Sequence, residues 1–207
     1  MSVAWESANA AGAIIRENWQ QPKTIDYKGA IDLVTSVDRE CVSIALEQNG
    51  RVIVGLVYDP IRNECFKAAL GQGATLDSSP IRTSIANELD KSLLATGFPY
   101  DHRDFADFYL SYFKAFMIRC QGIRRGGSAA LDLCYVACGR LDGFWELKLK
   151  PWDIAAGSLI ITEAGGKLSD FSGKPFSIRG HETLATNGLI HDEMVRVASP
   201  IAKAHVD

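Results

Sequence analysis

Residues 122–166, GIRRGGSAALDLCYVACGRLDGFWELKLKPWDIAAGSLIITEAGG, hold two helix starts, a strand and two glycine stops, and the rest of the chain is read outward from them. Gly127-Ser128-Ala129-Ala130 opens a helix with Ser128 as N-cap, and the helix ends at Cys138-Gly139. Leu141 to Leu147 returns as a strand carrying a lone carboxylate, Glu146. Pro151-Trp152-Asp153 starts a helix that runs through Glu163 and is closed by Gly165-Gly166.

Upstream, Ala8, Ala11, Ile15 and Trp19 recur at helical spacing, which predicts an amphipathic helix over 3–19 that ends before Pro22. An exposed segment, KGAIDLVTSVDRE, follows. VSIALE (42–47) and RVIVGLVY (51–58) flank Asn49-Gly50 and read as a hairpin, since Asn-Gly supplies the positive φ angles of a tight turn. ECFKAAL, GQGATL and SLLATGF add short strands. The aromatic residues of 104–117 fall on one helical face and are assigned to the core. KLSDFSG and TLATNG read as late strands and turns, and Pro200 closes a last short helix. The fold class is α/β, in one alternating domain.

Composition narrows the function. With 47% hydrophobic and 23% charged residues over 207 positions the chain buries a sizeable core, and a net charge of −3 argues against a protein that binds nucleic acid electrostatically. Five cysteines without a CxxC pair read as reduced thiols of a cytoplasmic protein. The N-terminus lacks a basic region before its apolar stretch and is not read as a signal peptide; no apolar run approaches the roughly 20 residues of a membrane span. Four histidines show no zinc spacing, and GxSxG, GxxxxGKS and CxxC are missing from the sequence.

The candidate chemistry lies where helices begin. Asp153, in the first turn of its helix, is placed either to ligate a hard divalent cation or simply to cap the helix. Glu146 is either an acceptor for the hydroxyls of a polyol or a solvent-facing strand residue. Gly127, Ser128 and Ala129 offer helix-start amides to a substrate oxygen, or serve only as the cap. Asp32 and Asp38, with Thr35 between them, form a second polar cluster able to orient a water, or an exposed turn. Arg124-Arg125 is a phosphate contact or a solvated pair. Convergence of the helix and strand ends would favour the functional readings together.

These residues point to a family. KGAIDLVTSVDRE, the hairpin ending GLVYDP, GQGATL and above all GSAALDLCYVACGRLDGFWELKLKPWDIAAGSLIITEAGG resemble the bacterial inositol monophosphatases over nearly the whole chain. The resemblance implies an αβαβα sandwich, usually dimeric, and Mg²⁺-dependent, Li⁺-inhibited hydrolysis of a small phosphomonoester. By the same resemblance Asp153 matches a metal-binding and substrate-binding aspartate, and Glu146 a glutamate that binds inositol hydroxyls. Gly127, Ser128 and Ala129 match the helix start lining the substrate pocket, and Asp38 the aspartate supporting a catalytic threonine.

The chain also departs from the pattern. The family's Gly-Glu-Glu and D-P-I-D-G-T motifs are missing, because VDRE runs directly into CVSIALE at a junction near Glu40-Cys41. Too few carboxylates then remain to hold two cations, so hydrolysis by this chain is expected to be impaired. The whole chain, 1–207, is expected to form one domain, with an incomplete N-terminal layer over 1–98 and a C-terminal layer over 99–207. Two alternatives stand beside inositol monophosphate hydrolysis: a non-catalytic binding or scaffold protein, and a phosphatase for a histidinol, sugar or adenosine phosphate. The expected partners are the substrate and a second copy of the chain, with neither nucleic acid bound directly nor a membrane.

Overall fold

The computed structural model describes residues 1–19, 25–27, 33–35 and 41–204. Asp38, Asp32 and most of KGAIDLVTSVDRE lie outside them. Helix α1 spans Ser2–Asn18, and two short strands, β1 (Ile25–Tyr27) and β2 (Leu33–Thr35), pair antiparallel.

A five-stranded antiparallel meander follows: β3 (Val42–Gln48), β4 (Arg51–Asp59), β5 (Glu64–Ala69), β6 (Ala74–Leu76) and β7 (Ser79–Pro80), in that order across the sheet. The β3–β4 turn is the one its sequence predicts, with Asn49 at φ 51° and Gly50 at φ 76°. The chain then runs through β8 (Leu93–Thr96), α2 (Ala106–Met117), β9 (Gly122–Arg124), α3 (Ala129–Ala137) and β10 (Gly143–Leu147). Helix α4 (Pro151–Glu163), β11 (Lys167–Ser169), β12 (Glu182–Thr186) and α5 (His191–Ala204) complete it. The second sheet has the order β11-β12-β10-β8-β9, with β8 parallel to both β9 and β10.

The layers follow from which faces are apolar. Ala8 of α1 packs on Leu56 and Tyr58 on the outer face of the first sheet. A central core joins Val57 and Phe66 of that sheet to Leu133, Ile154 and Ile160 of α3 and α4, and these to Phe144 and Ala185 of the second sheet. Tyr112, Phe116 and Met194 of α2 and α5 cover the far side, against Trp145 and Leu184. The architecture is therefore αβαβα, with α3 and α4 as the middle layer. Such a helix must be slim. A methyl group at Gly157 would come 2.7 Å from Leu133 Cβ, and one at Gly55 of β4 would come 2.7 Å from the Ala156 carbonyl oxygen. At its far end α4 is tied to the first sheet, because Glu163 accepts the amides of Gly71 (2.7 Å) and Gly73 (2.8 Å).

Most of the aromatic face of α2 is core, as expected, with Tyr109, Tyr112 and Phe116 buried. Phe105 is an exception: it precedes the helix, is exposed, and carries the Lys148 ammonium over its ring. Pro200 does not close the last helix; α5 continues through it to Ala204, its strongly one-sided apolar pattern holding it to the sheet past the missing hydrogen bond. Among the described residues no helix is long and apolar enough to cross a membrane.

Candidate functional site

Strand β10 sets the first group. Successive side chains on a strand point to opposite faces, and Phe144 points into the middle layer, so Glu146 points there too, towards α3 and α4. Thr96 pairs with Trp145, which sets Gly97 beside the carboxylate. A methyl group at Gly97 would lie 2.4 Å from either oxygen of Glu146, so only glycine leaves the carboxyl its place.

Helix α3 supplies the second group. Gly127 turns the chain at φ 99°, a conformation suited to glycine, and delivers Ser128 as the N-cap. Ser128 Oγ accepts the Leu131 amide (3.4 Å) and stands 3.3 Å from Cys41 Sγ at the start of β3. Cys41 therefore abuts the start of α3. One turn along lies Asp132, buried, its Oδ1 packed so closely on Gly126 that a methyl group there would come within 2.6 Å.

Helix α4 supplies the third. Asp153 Oδ2 accepts the backbone amide of Lys150 at 2.8 Å, so the residue does cap its helix. Capping and ligation are compatible, since a carboxylate has lone pairs to spare.

Two of the carboxylates act on the third, Glu146. Burial, then Asp132, then Asp153 push the Glu146 carboxyl up to about 8, against the opposing pull of Arg125. Burial also raises Asp153, against the Lys150 amide and charge. Glu146 of β10 thus feels the charges of Asp132 of α3 and Asp153 of α4, with Arg125 opposing them, whereas Arg124 donates to the Ile123 carbonyl. Glu146 is not the solvent-facing residue of the bland reading. Asp132 and Gly97 were missed by sequence reasoning; the available signal for Asp132 was its place one helical turn after Ser128, on the same face.

A cation suits this charge. Among the described residues, however, no three His, Cys, Asp or Glu side chains gather to hold one. Mg²⁺ in phosphate sites is commonly bound through one or two carboxylates, with water and substrate oxygens completing the shell. Asp153, whose Oδ2 accepts the Lys150 amide, offers one carboxylate to a shell of that kind. The described residues do not form a cage for two.

Comparison with known proteins follows the same lines. A profile of the inositol monophosphatase family matches residues 39–203, starting beside the junction. Nus factor SuhB of Escherichia coli K12 is 45% identical over 245 aligned positions, covering 92% of this chain and 90% of its own length. Because 92% of 207 residues is about 190, that alignment holds roughly 55 positions that the chain lacks. An inositol-1-monophosphatase of Synechocystis is 47% identical over 166 residues, covering 80% of this chain and 58% of its own. The solved inositol monophosphatase from Anabaena superposes with a TM-score of 0.82 at 36% identity, covering 97% of this chain and 95% of that one.

Proposed function

This chain belongs to the inositol monophosphatase family, and from that premise we propose that it hydrolyses inositol monophosphate in the cytoplasm with Mg²⁺, at a rate reduced by its missing segment. The observation that supports the reading is the half-buried Glu146 carboxyl, set beside Gly97 at the end of β10 and within the fields of Asp132 of α3 and Asp153 of α4. Bound Mg²⁺ would neutralise phosphate charge and make water a better nucleophile at neutral pH.

The remaining roles belong to the chain. Asp153 would hold the ion, oriented by the Lys150 amide that its Oδ2 accepts. The amides at Gly127, Ser128 and Ala129, at the positive end of α3, receive a substrate oxygen. Glu146 would accept polyol hydroxyls from its place at the end of β10. Asp38, outside the described residues, is the proposed support for the attacking water through Thr35. With one carboxylate assigned to the metal, less transition-state charge is stabilised than in a fully furnished site, and each preorganised group lost costs roughly 10²–10³ in rate. Inositol is favoured over sugar, histidinol or adenosine phosphates because a relative named as an inositol-1-monophosphatase is 47% identical over 166 residues.

Phosphate release from inositol 1-phosphate by the purified chain, with Mg²⁺ titrated, tests this. Slow, Mg²⁺-dependent turnover that Asp153→Asn abolishes is the expected result. No turnover from a folded chain that still binds inositol 1-phosphate by calorimetry would refute hydrolysis and leave the second reading, a binding protein. The relatives named Nus factor SuhB favour that second reading, in which the chain serves as a Nus factor by association.

A further inference from the structure

Strand β10 ends at Leu147, and the next residue, Lys148, two positions after Glu146, has φ 61°. That left-handed conformation suits glycine or a short turn-forming side chain, and the other non-glycine residues that adopt it among the described residues are Asn49, Asn63, Asp77 and Ser78. Lys148 is the one long side chain held this way among them. Its amide donates to the His181 carbonyl at 2.6 Å, and its ammonium reaches across to the loop 97–105, which joins β8 to α2. There it pairs with Asp101 and stands 4.8 Å from the ring centroid of Phe105 and 5.7 Å from that of Tyr109. The Tyr109 hydroxyl donates to the other Asp101 oxygen at 2.7 Å. A half-exposed ion pair by itself contributes little, but here one cation serves a carboxylate and two rings at once.

The loop held in this way meets the candidate site at its other end, where Gly97 packs against the Glu146 carboxylate. Asp101 is the hub of the loop: its carbonyl accepts the amides of Asp104 (3.0 Å) and Phe105 (3.3 Å), beside the Pro99 carbonyl that accepts the His102 amide (3.0 Å). The space left between Gly97, Pro99, Tyr109 and Glu146 is about 10 Å³, room for a single water. The Lys148 to Asp101 contact therefore closes a ring that runs from Gly97 to Asp101 and from Lys148 back to Glu146. We propose that Lys148 is a positioning residue for polyol recognition: through Asp101, Phe105 and Tyr109 it clasps the 97–105 loop, keeps Gly97 seated beside Glu146, and so fixes where that carboxylate stands. The role rests on Glu146 being the acceptor of polyol hydroxyls. A lysine with a left-handed backbone persists only where its surroundings hold it there, and the clasp supplies that hold.

Lys148→Gly and Lys148→Arg in the full chain test it. Glycine removes the clasp while suiting the left-handed backbone, so the fold is spared; arginine meets the same backbone demand and keeps a cation for Asp101 and the two rings. In hydrogen exchange, the amides of His102, Asp104 and Phe105 should exchange roughly three- to tenfold faster in the glycine variant and stay near the parent in the arginine variant. In calorimetry with Mg²⁺ present, inositol 1-phosphate should bind the glycine variant roughly three- to tenfold more weakly than the parent. Inorganic phosphate, which carries no polyol hydroxyls, should bind both alike. Loop exchange or inositol 1-phosphate affinity unchanged in Lys148→Gly, an equal loss of affinity for inorganic phosphate, or an arginine variant that behaves like the glycine one would each overturn the positioning role alone. A parent that binds inositol 1-phosphate no more tightly than inorganic phosphate would instead sink the polyol reading of Glu146, and the role of Lys148 with it.

Discussion

Replacing Glu146 by Gln should change how stability depends on pH. An unfolded chain releases this proton near pH 4.5, whereas the folded chain holds it to about 8 because burial, Asp132 and Asp153 disfavour the charge. The folded state therefore binds the extra proton between those values, and stability falls as pH rises through that window. At about 1.4 kcal/mol per pK step the full shift corresponds to roughly 5 kcal/mol. The side chain keeps partial access to solvent, so about 2 kcal/mol is the expected measurable share. Gln has no proton to release. Urea unfolding of both proteins from pH 5 to 8.5, in chelator so that no cation compensates, should give curves that agree at pH 5. By pH 8.5 the variant should be about 2 kcal/mol more stable. The other titrating groups are common to both proteins and cancel in the difference. Parallel stability profiles would refute the claim that burial, Asp132 and Asp153 together hold the proton on Glu146.

Other perturbations probe the frame around that site. Gly157→Ala, whose methyl group would press on Leu133 Cβ at 2.7 Å, should cost about 1–3 kcal/mol in denaturant unfolding. Glu163→Ala frees the amides of Gly71 and Gly73; their hydrogen exchange should quicken, with a stability loss of about 1 kcal/mol. His191 is buried between Thr186 and Ser169, 3.0 Å from each hydroxyl, and burial followed by Lys167 pushes its ring down to about 4. An unfolded imidazole charges below 6.5 while the folded one does not, so stability should fall as pH drops from 6.5 to 4, and His191→Gln should flatten that acid limb in thermal melts.

Local signals carried much of the fold. Pro151 with Gly165 bounds α4, Ser128 with Gly139 bounds α3, and Asn49-Gly50 closes the first hairpin, each because one backbone geometry demands that residue type. Strand β9 left no comparable mark. GIR is three residues long and is held by parallel pairing to β8, a partner nearly thirty positions earlier, so its strand character comes from tertiary context. Pro200 was read by its usual local effect, which the apolar face of α5 overrides. At the site, motif and spacing located Glu146, Asp153 and the start of α3. The burial of Glu146 was not legible, because it depends on Gly97 standing beside it across β8. Asp132 was hidden likewise: a carboxylate one turn into an apolar helix becomes notable only when Gly126 and the end of β10 close around it.

The shared middle layer has a consequence in time. Strands β3 to β7 are complete at Pro80, yet the helix that covers their inner face ends at Glu163. At about 5–20 residues per second, a ribosome needs on the order of 4–17 s to make the intervening stretch. Val57 and Phe66 lack the cover of α4 until that interval ends, with Tyr135 of α3 reaching Phe66 before it. The nascent first sheet is thus a half-finished surface, and the newborn chain is at its most vulnerable to aggregation before α4 emerges.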